Sequence, residues 1–345
     1  MNNIVYIITG AAGHLAGAII RELVNTNCQI RGLLLPKEIG IPGDNISYIT
    51  GDVTKPETLD RLFESTDGAE TIVIHCAGIV SIQKEVSPAV YSVNVIGTRN
   101  IISKCRQYGV RRLVYVSSVH AIPENKGGTV REVDSFSPDT VEGAYAKTKA
   151  EATQAVMDAA KSGLDAVIVH PSGIVGPYDR YRSNHLVQMM SLYLNRRLPV
   201  GVHGGYDFVD VRDAAKGVIL AAEKGRRGEC YILSNRYILL EELMENMRIL
   251  TGRKFRLPFM PYSLARLLIP VYELYSKITR KRSIYTAYSI KTLADNVDFC
   301  HDKATAELGY TTRDFSDTVR DTIAYLQQDI NAVSYTHLRA PRDTR

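Results

Sequence analysis

Cysteine is scarce in this 345-residue chain. The five that occur, Cys28, Cys76, Cys105, Cys230 and Cys300, are odd in number, far apart and without a C-x-x-C pair, which argues against a disulfide framework or a zinc site and fits a reducing cytoplasm. Blocks of like charge are missing too: the net charge of +5 is scattered, so there is no basic stripe for a nucleic acid to follow. No basic leader with a cleavage site precedes the first apolar run at Ile4, so export is not expected. The apolar stretch from Phe259 to Tyr275 is interrupted by Arg266, Pro270 and Glu273 and is too short between charges to cross a bilayer. What remains, 45% hydrophobic and 23% charged residues, is ordinary for a soluble globular protein. The length suggests one large domain with a smaller one appended.

The amino-terminal half alternates short apolar runs with amphipathic stretches. Ile4 to Thr9 is β-branched, nearly unbroken and stopped by Gly10, the mark of a buried strand. A helix follows at once, with Leu15, Ala16, Ile19, Ile20 and Leu23 on its apolar face. In the turn between them, Gly10 and Gly13 remove side chains where the chain bends tightly and where backbone N–H groups approach an anion. A pyrophosphate would rest on the positive end of that helix, which makes Gly10, Ala12, Gly13, His14, Leu15 and Ala16 candidate cofactor contacts.

The second strand, Gln29 to Leu35, ends in Leu-Pro-Lys rather than in the Asp or Glu that would bond the ribose 2′-hydroxyl of NAD and repel a 2′-phosphate. NADP is therefore the favoured reading over NAD, with Arg31 or Lys37 as the cation. Ile46 to Thr50 gives a third strand, after which Asp52 either accepts from an adenine amine or opens the helix at Pro56 to Phe63; Val53 lies beside it. A fourth strand, Thr71 to Cys76, runs into Cys76-Ala77-Gly78, small residues that let a ligand lie close. Val86 to Tyr108 reads as one long helix with Asn94 and Gly97 near its middle, both unfavourable there, so packing or function should compensate. A fifth strand from Val110 ends in Ser117 and Ser118.

Residues 143 to 162 are predicted to form a helix on which Tyr145 and Lys149 stand one turn apart on the same face. A phenol with an ordinary pKa of about 10 exchanges protons poorly near neutrality, and a nearby ammonium favours its ionised form. Such a pair suits acid–base work.

Together these stretches resemble the extended short-chain dehydrogenase/reductase family, also called the NAD-dependent epimerase/dehydratase family, over roughly residues 4 to 330. The matching motifs are T-G-x-x-G-x-x-A/G (Thr9, Gly10, Gly13, Ala16), G-D-V (Gly51 to Val53), H-x-A-G/A (His75 to Gly78), N-V-x-G-T (Asn94 to Thr98), the pair Ser117-Ser118, and Y-x-x-x-K. Ala16 stands where many members have Gly. The resemblance implies a doubly wound parallel α/β sheet of Rossmann type over residues 1–176, with 203–235 returning to it, and a smaller, mainly helical substrate region over 177–330. It implies that Tyr145 exchanges a proton with the substrate oxygen, that Ser118 bonds that oxygen, and that Lys149 holds the nicotinamide ribose and lowers the phenol's pKa. Gly10, Gly13 and Ala16 are implied at the pyrophosphate, Asp52 and Val53 at the adenine, Asn94 in support of the lysine, and Pro171 in the loop that leaves the sheet beside the nicotinamide. No metal is expected, since the cofactor carries the hydride.

His120 is read either as a substrate contact or, preferably, as a histidine on a surface loop. Nucleotide-sugar relatives commonly carry an Arg just before the Phe-Val-x-Val segment, where this chain has Tyr206-Asp207. That segment and the Gly225 to Ser234 run look more like dihydroflavonol reductase and 3β-hydroxysteroid dehydrogenase relatives, which act on ketones or secondary alcohols of apolar molecules. The expected activity is therefore an NAD(P)-dependent ketone reductase or alcohol dehydrogenase; a nucleotide-sugar epimerase or dehydratase is the rival, and a non-catalytic NAD(P)-binding protein the third reading. The apolar stretch at 259–275, followed by Lys277, Arg280, Lys281 and Arg282, is read as a substrate lid in preference to a membrane-docking helix. A small molecule is the expected partner, and a homodimer stays open. The tail from Ala332 resembles adapter read-through and is expected to be disordered.

Overall fold

The computed structural model describes residues 4–338 apart from 65–67, 82–84, 124–127, 182–183, 280–286 and 295–296. Strand β1 (Ile4–Thr9) shows why the sheet is covered on both sides. Its side chains alternate: Val5 and Ile7 join one core cluster and Tyr6 and Ile8 the other, as the two-residue period of a strand requires. Each fully buried isoleucine of this kind contributes about 1.5–3 kcal/mol. Helix α1 (His14–Leu23) follows the glycine turn and buries Leu15, Ala16, Ile19, Ile20 and Leu23 on the second of these faces.

Strands β2 (Gln29–Leu34), β3 (Ile46–Thr50), β4 (Glu70–His75) and β5 (Arg112–Val116) are parallel to β1. Between β3 and β4 the expected helix is a 3-10 turn at Pro56–Thr58 and one short turn, α2 (Asp60–Phe63). Between β4 and β5 the single long helix expected from Val86 to Tyr108 is a composite. A short α3 (Pro88–Tyr91), started by the Ser87 side chain, passes into a π-helical turn at Ser92–Ile96 and then into α4 (Gly97–Gln107). The reason is local. Gly97 packs so tightly on Val53 that an added Cβ would lie 2.7 Å from its methyl group, and the widened turn carries Asn94 inward, fully buried. A π-turn is rare within α-helices and is frequent at functional sites.

After β5 the chain makes a two-residue strand β6 (Thr129–Val130), the helix α5 (Ala144–Lys161) and then β7 (Ala166–Pro171) and β8 (Gly173–Val175). Helix α5 buries an alanine-rich face, including Ala146, Ala150, Ala152, Ala159 and Ala160. Small residues there let it lie close to the sheet. Gly143 opens it at φ +94, a conformation that side-chain-bearing residues avoid. Beyond β8 come α6 (His185–Leu194), β9 (Gly201–Val202), β10 (Gly205–Asp210), α7 (Val211–Lys224), β11 (Cys230–Leu233), β12 (Arg236–Leu239) and α8 (Leu240–Leu250). The main sheet has the order β11-β7-β5-β4-β1-β2-β3, and β12-β10-β8 form a second sheet. The order reverses beside β1, between β4 and β2, and in such sheets the crevice outside the carboxyl ends at that reversal receives the ligand.

The chain closes with β13 (Phe259–Met260), α9 (Tyr262–Thr279), α10 (Ala287–Ala294), β14 (Asp298–Phe299), α11 (Asp302–Leu308) and α12 (Phe315–Leu338). Helices α6, α8 and α12 share a third core with Phe208 and Ile238. On α9, Ala265 and Ile269 pack with Val202 and Ile290, while Leu264, Leu267 and Leu268 are exposed. Arg280, Lys281 and Arg282 lie outside the described residues. No helix among the described residues is long and apolar enough to cross a membrane. Helix α12 runs to Leu338, and no Gly or Pro interrupts the sequence before Pro341. Residues 339–345 lie outside the described ones.

Candidate active site

The glycine turn and the loop after β4 meet at the sheet's switch point. Gly10 sits at φ +65, and a Cβ there would approach Ala77 Cα to 3.0 Å, so only glycine lets the two loops lie this close. Gly13 is exposed at the apex with Ala12 half-buried beside it, and Gly13 precedes the first residue of α1 without a side-chain cap. The uncapped N–H groups of α1 are the anion-binding feature that a dinucleotide's pyrophosphate fits. Leu15 and Ala16 turn their side chains into the core, which leaves their backbone for the ligand. His14 donates from Nε2 to the Pro177 carbonyl at 2.8 Å; its Nδ1 is buried without a partner among the described residues. Burial lowers its pKa.

Beneath this turn runs a buried hydrogen-bond chain that the motifs alone did not reveal. The Ala77 N–H donates to Thr9 Oγ1 at 3.1 Å, Thr9 and His75 Nδ1 lie 2.7 Å apart, His75 Nε2 and Thr98 Oγ1 3.1 Å, and Thr98 donates to the Asn94 carbonyl at 2.7 Å. One direction satisfies every member: Thr9 donates to a bare Nδ1, and Nε2–H donates to Thr98. His75 must be neutral for this. Burial, with a smaller push from Lys149, lowers it to about 3.

The Asn94 side chain continues the chain toward α5. Its Oδ1 accepts from Ile79 N at 2.8 Å, and its Nδ2 donates to Ile79 O at 3.0 Å and to Thr148 Oγ1 at 3.1 Å. Asn94 therefore pins the 76–80 loop to the residue beside Lys149. Gly78 fills the remaining gap: a Cβ there would stand 3.5 Å from Lys149 Nζ.

Lys149 Nζ donates to the Val116 carbonyl at 2.8 Å and to Tyr115 OH at 3.4 Å, and lies over the Tyr115 ring. Burial lowers its pKa to about 8, against a smaller opposing effect of Cys76. Tyr145, one turn earlier, is pushed up to about 12 by burial, with a hydrogen bond to Ser118 acting the other way. The ammonium is spent on the end of β5, and burial dominates.

The two serines part company. Ser117 bonds Thr153 at 2.6 Å on the core side. Ser118 caps the turn after β5 by accepting from His120 N at 3.3 Å, and its hydroxyl reaches Tyr145. His170 Nδ1 donates to the Ser118 carbonyl at 2.9 Å and stacks on Phe136. His120 is not on an open loop. Its ring meets Tyr145 edge-on at 6.1 Å, stacks on Tyr206 at 5.6 Å, and its Nε2 lies 3.0 Å from the Tyr206 hydroxyl.

The remaining candidates lie around this centre. Asp52 accepts from Thr54 N and Oγ1 at 2.9 and 2.8 Å, and Val53 is buried. Cys76 borders the Lys149 site, and burial raises its thiol to about 12. Pro171 ends β7 opposite Leu233. Lys37 is exposed in a left-handed turn at φ +76. Arg31 bonds the carbonyls of Leu62 and Glu64, away from the strand end. Glu38, which sequence reading passed over, folds back so that its carboxylate accepts from Leu35 N at 2.8 Å; only the turn at Pro36-Lys37 brings it there.

A parallel sheet with a glycine turn at its switch point and a Ser–Tyr–Lys constellation at the ends of β5 and α5 defines a dinucleotide-dependent oxidoreductase. Residues 6–234 match the model of the NAD dependent epimerase/dehydratase family, and the chain belongs to that family, as an NAD(P)-dependent enzyme of the extended short-chain dehydrogenase/reductase type. It is 28% identical over 330 residues to a putative dihydroflavonol 4-reductase of Synechocystis sp., covering 93% of this chain and 94% of that protein. It is 31% identical over 251 residues to sterol demethylase protein B of Methylococcus capsulatus, covering 71% and 74%. Among solved structures, gox2253 matches with a TM-score of 0.77 and 29% identity over 94% of this chain and 98% of that one.

Proposed function

We propose that the chain interconverts ketones and secondary alcohols on uncharged, apolar or mixed-polarity small molecules. The observation that carries this is the pairing of the Tyr145 phenol with the Ser118 hydroxyl beside a buried Lys149 held on the end of β5. Ser118 bonds the reacting oxygen, and Tyr145 gives it a proton in the reducing direction or takes one in the oxidising direction. Two donors on one oxygen polarise a carbonyl without a protein nucleophile. Lys149, Asn94 and Gly78 shape the floor on which the nicotinamide ribose fits, and Gly10, Gly13 and the start of α1 suit the pyrophosphate. The dinucleotide, when bound, supplies or accepts the hydride. Its positive charge in the oxidised form, with that of Lys149, favours the phenolate and offsets the burial that holds Tyr145 high. The names of the relatives, a putative dihydroflavonol 4-reductase and sterol demethylase protein B, support an apolar substrate, and so does Tyr206-Asp207 where nucleotide-sugar relatives commonly carry an Arg.

For the cofactor, the end of β2 favours NAD over the NADP that Leu-Pro-Lys first suggested. Arg31 is committed to carbonyls, and the Glu38 carboxylate at Leu35 N would repel a 2′-phosphate.

The test is incubation with NADH or NADPH and a ketone panel while nicotinamide absorbance is followed. Net consumption supports a reductase; an epimerase regenerates its cofactor and shows none. Tyr145→Phe should cut turnover by at least about 100-fold with cofactor affinity by calorimetry nearly unchanged. Loss of cofactor binding in that variant contradicts the role.

A further inference from the structure

Beside Tyr145 stands a pair that the proton-transfer scheme does not use. Tyr206, on β10, and His120, in the turn after β5, come from different sheets and 86 positions apart, yet bond at 3.0 Å. The Tyr206 ring is held by Phe208 and Phe299, with centroids at 5.8 and 6.2 Å in edge-on contacts, and Phe208 stacks in turn on Phe315. Tyr206 and Phe208 of β10, Phe299 of β14 and Phe315 of α12 make a rigid wall, since such rings have few rotamers and interlock at these separations. Both Tyr206 and His120 keep part of their surface accessible, so the wall is not sealed into the core. Burial pushes His120 down to about 4, and neither side chain is an Arg or Lys.

A wall of this kind discriminates by what it cannot do. An anionic group placed against it would lose its water and gain no cation from either of these two side chains, an uncompensated cost. A flat or alicyclic apolar ring loses little water and gains aromatic contact. We propose that Tyr206 and His120 are the specificity-determining pair of this site, selecting an uncharged ring next to the carbonyl that meets Tyr145 and excluding substrates with an anion there. This rests on the ketone-reducing reading above and names the residues that set its substrate class.

The experiment compares matched cyclic ketones, one neutral and one bearing a carboxylate on the same skeleton, in wild type, Tyr206→Arg, Tyr206→Phe and His120→Ala. Wild type should favour the neutral ketone. Tyr206→Arg should lower the ratio of kcat/KM, neutral over anionic, at least about tenfold, the worth of one charge-assisted hydrogen bond. Tyr206→Phe keeps the ring and should keep the ratio, with KM for the neutral ketone rising about threefold as His120 loses its tether. His120→Ala should raise KM for both ketones and leave cofactor affinity alone. Cofactor titration of each variant confirms an intact dinucleotide half. An unchanged ratio in a folded, cofactor-binding Tyr206→Arg overturns the proposal while wild-type turnover keeps the ketone reading. No turnover of any ketone or alcohol by wild type overturns both.

Discussion

Asn94→Ala removes a fully buried amide that makes three hydrogen bonds, two to the Ile79 backbone and one to Thr148. Ile79 is partly exposed, so water can reach its N–H and carbonyl, and each lost bond is placed near the typical 1 kcal/mol rather than at the full desolvation cost. The sum is about 3 kcal/mol. Urea unfolding should show it as a lower midpoint at an unchanged slope. Because the same side chain holds the 76–80 loop over Lys149, cofactor affinity measured by calorimetry should fall about tenfold, equivalent to about 1.4 kcal/mol. A double-mutant cycle with Thr148→Val isolates the contact at 3.1 Å and should return a coupling of about 1 kcal/mol. A loss below about 1 kcal/mol, together with unchanged cofactor affinity, would refute the view that this amide pins the loop.

Other outcomes are equally checkable. Lys149 is lowered from 10.5 to about 8 in the folded chain, so between those values the unfolded chain binds the extra proton and the folded state gains stability as pH rises; Lys149→Met should flatten that part of the unfolding curve, and an identical rise in the variant would refute the assignment. In the alcohol-oxidising direction, activity should climb with pH as the Tyr145 phenol ionises, and a flat profile from about pH 6 to 10 counts against it. Glu38→Gln should shift preference toward NADPH, read as the ratio of the two dissociation constants; no change would remove Glu38 from cofactor selection.

Much of the dinucleotide half was legible because its signals are local. The strand Ile4–Thr9 is an apolar run with a glycine stop, and the sequence reading placed its limits where the structure has them. The pairing of Tyr145 with Lys149 needs only helical periodicity. What escaped was set by contacts distant in sequence. Nothing near His120 announces a tyrosine 86 positions later, and nothing near His75 announces Thr9, 66 positions earlier. The burial of Tyr145, which raises its pKa, was illegible for a related reason: spacing predicts proximity to Lys149, but burial is a property of the whole fold. Glu38 was missed because a left-handed residue at Lys37 returns it to a strand that had already ended.

The π-turn at Ser92–Ile96 has a bearing on how this gene can change. Each helical residue advances about 100° around the axis, so deleting a single codon there would restore ordinary winding and swing Asn94 away from Ile79. Loss of one amino acid would do the damage of a substitution at a position left untouched. In that five-residue span, segment length is a functional trait in its own right, and an indel should be tolerated less well than most exchanges of side chain.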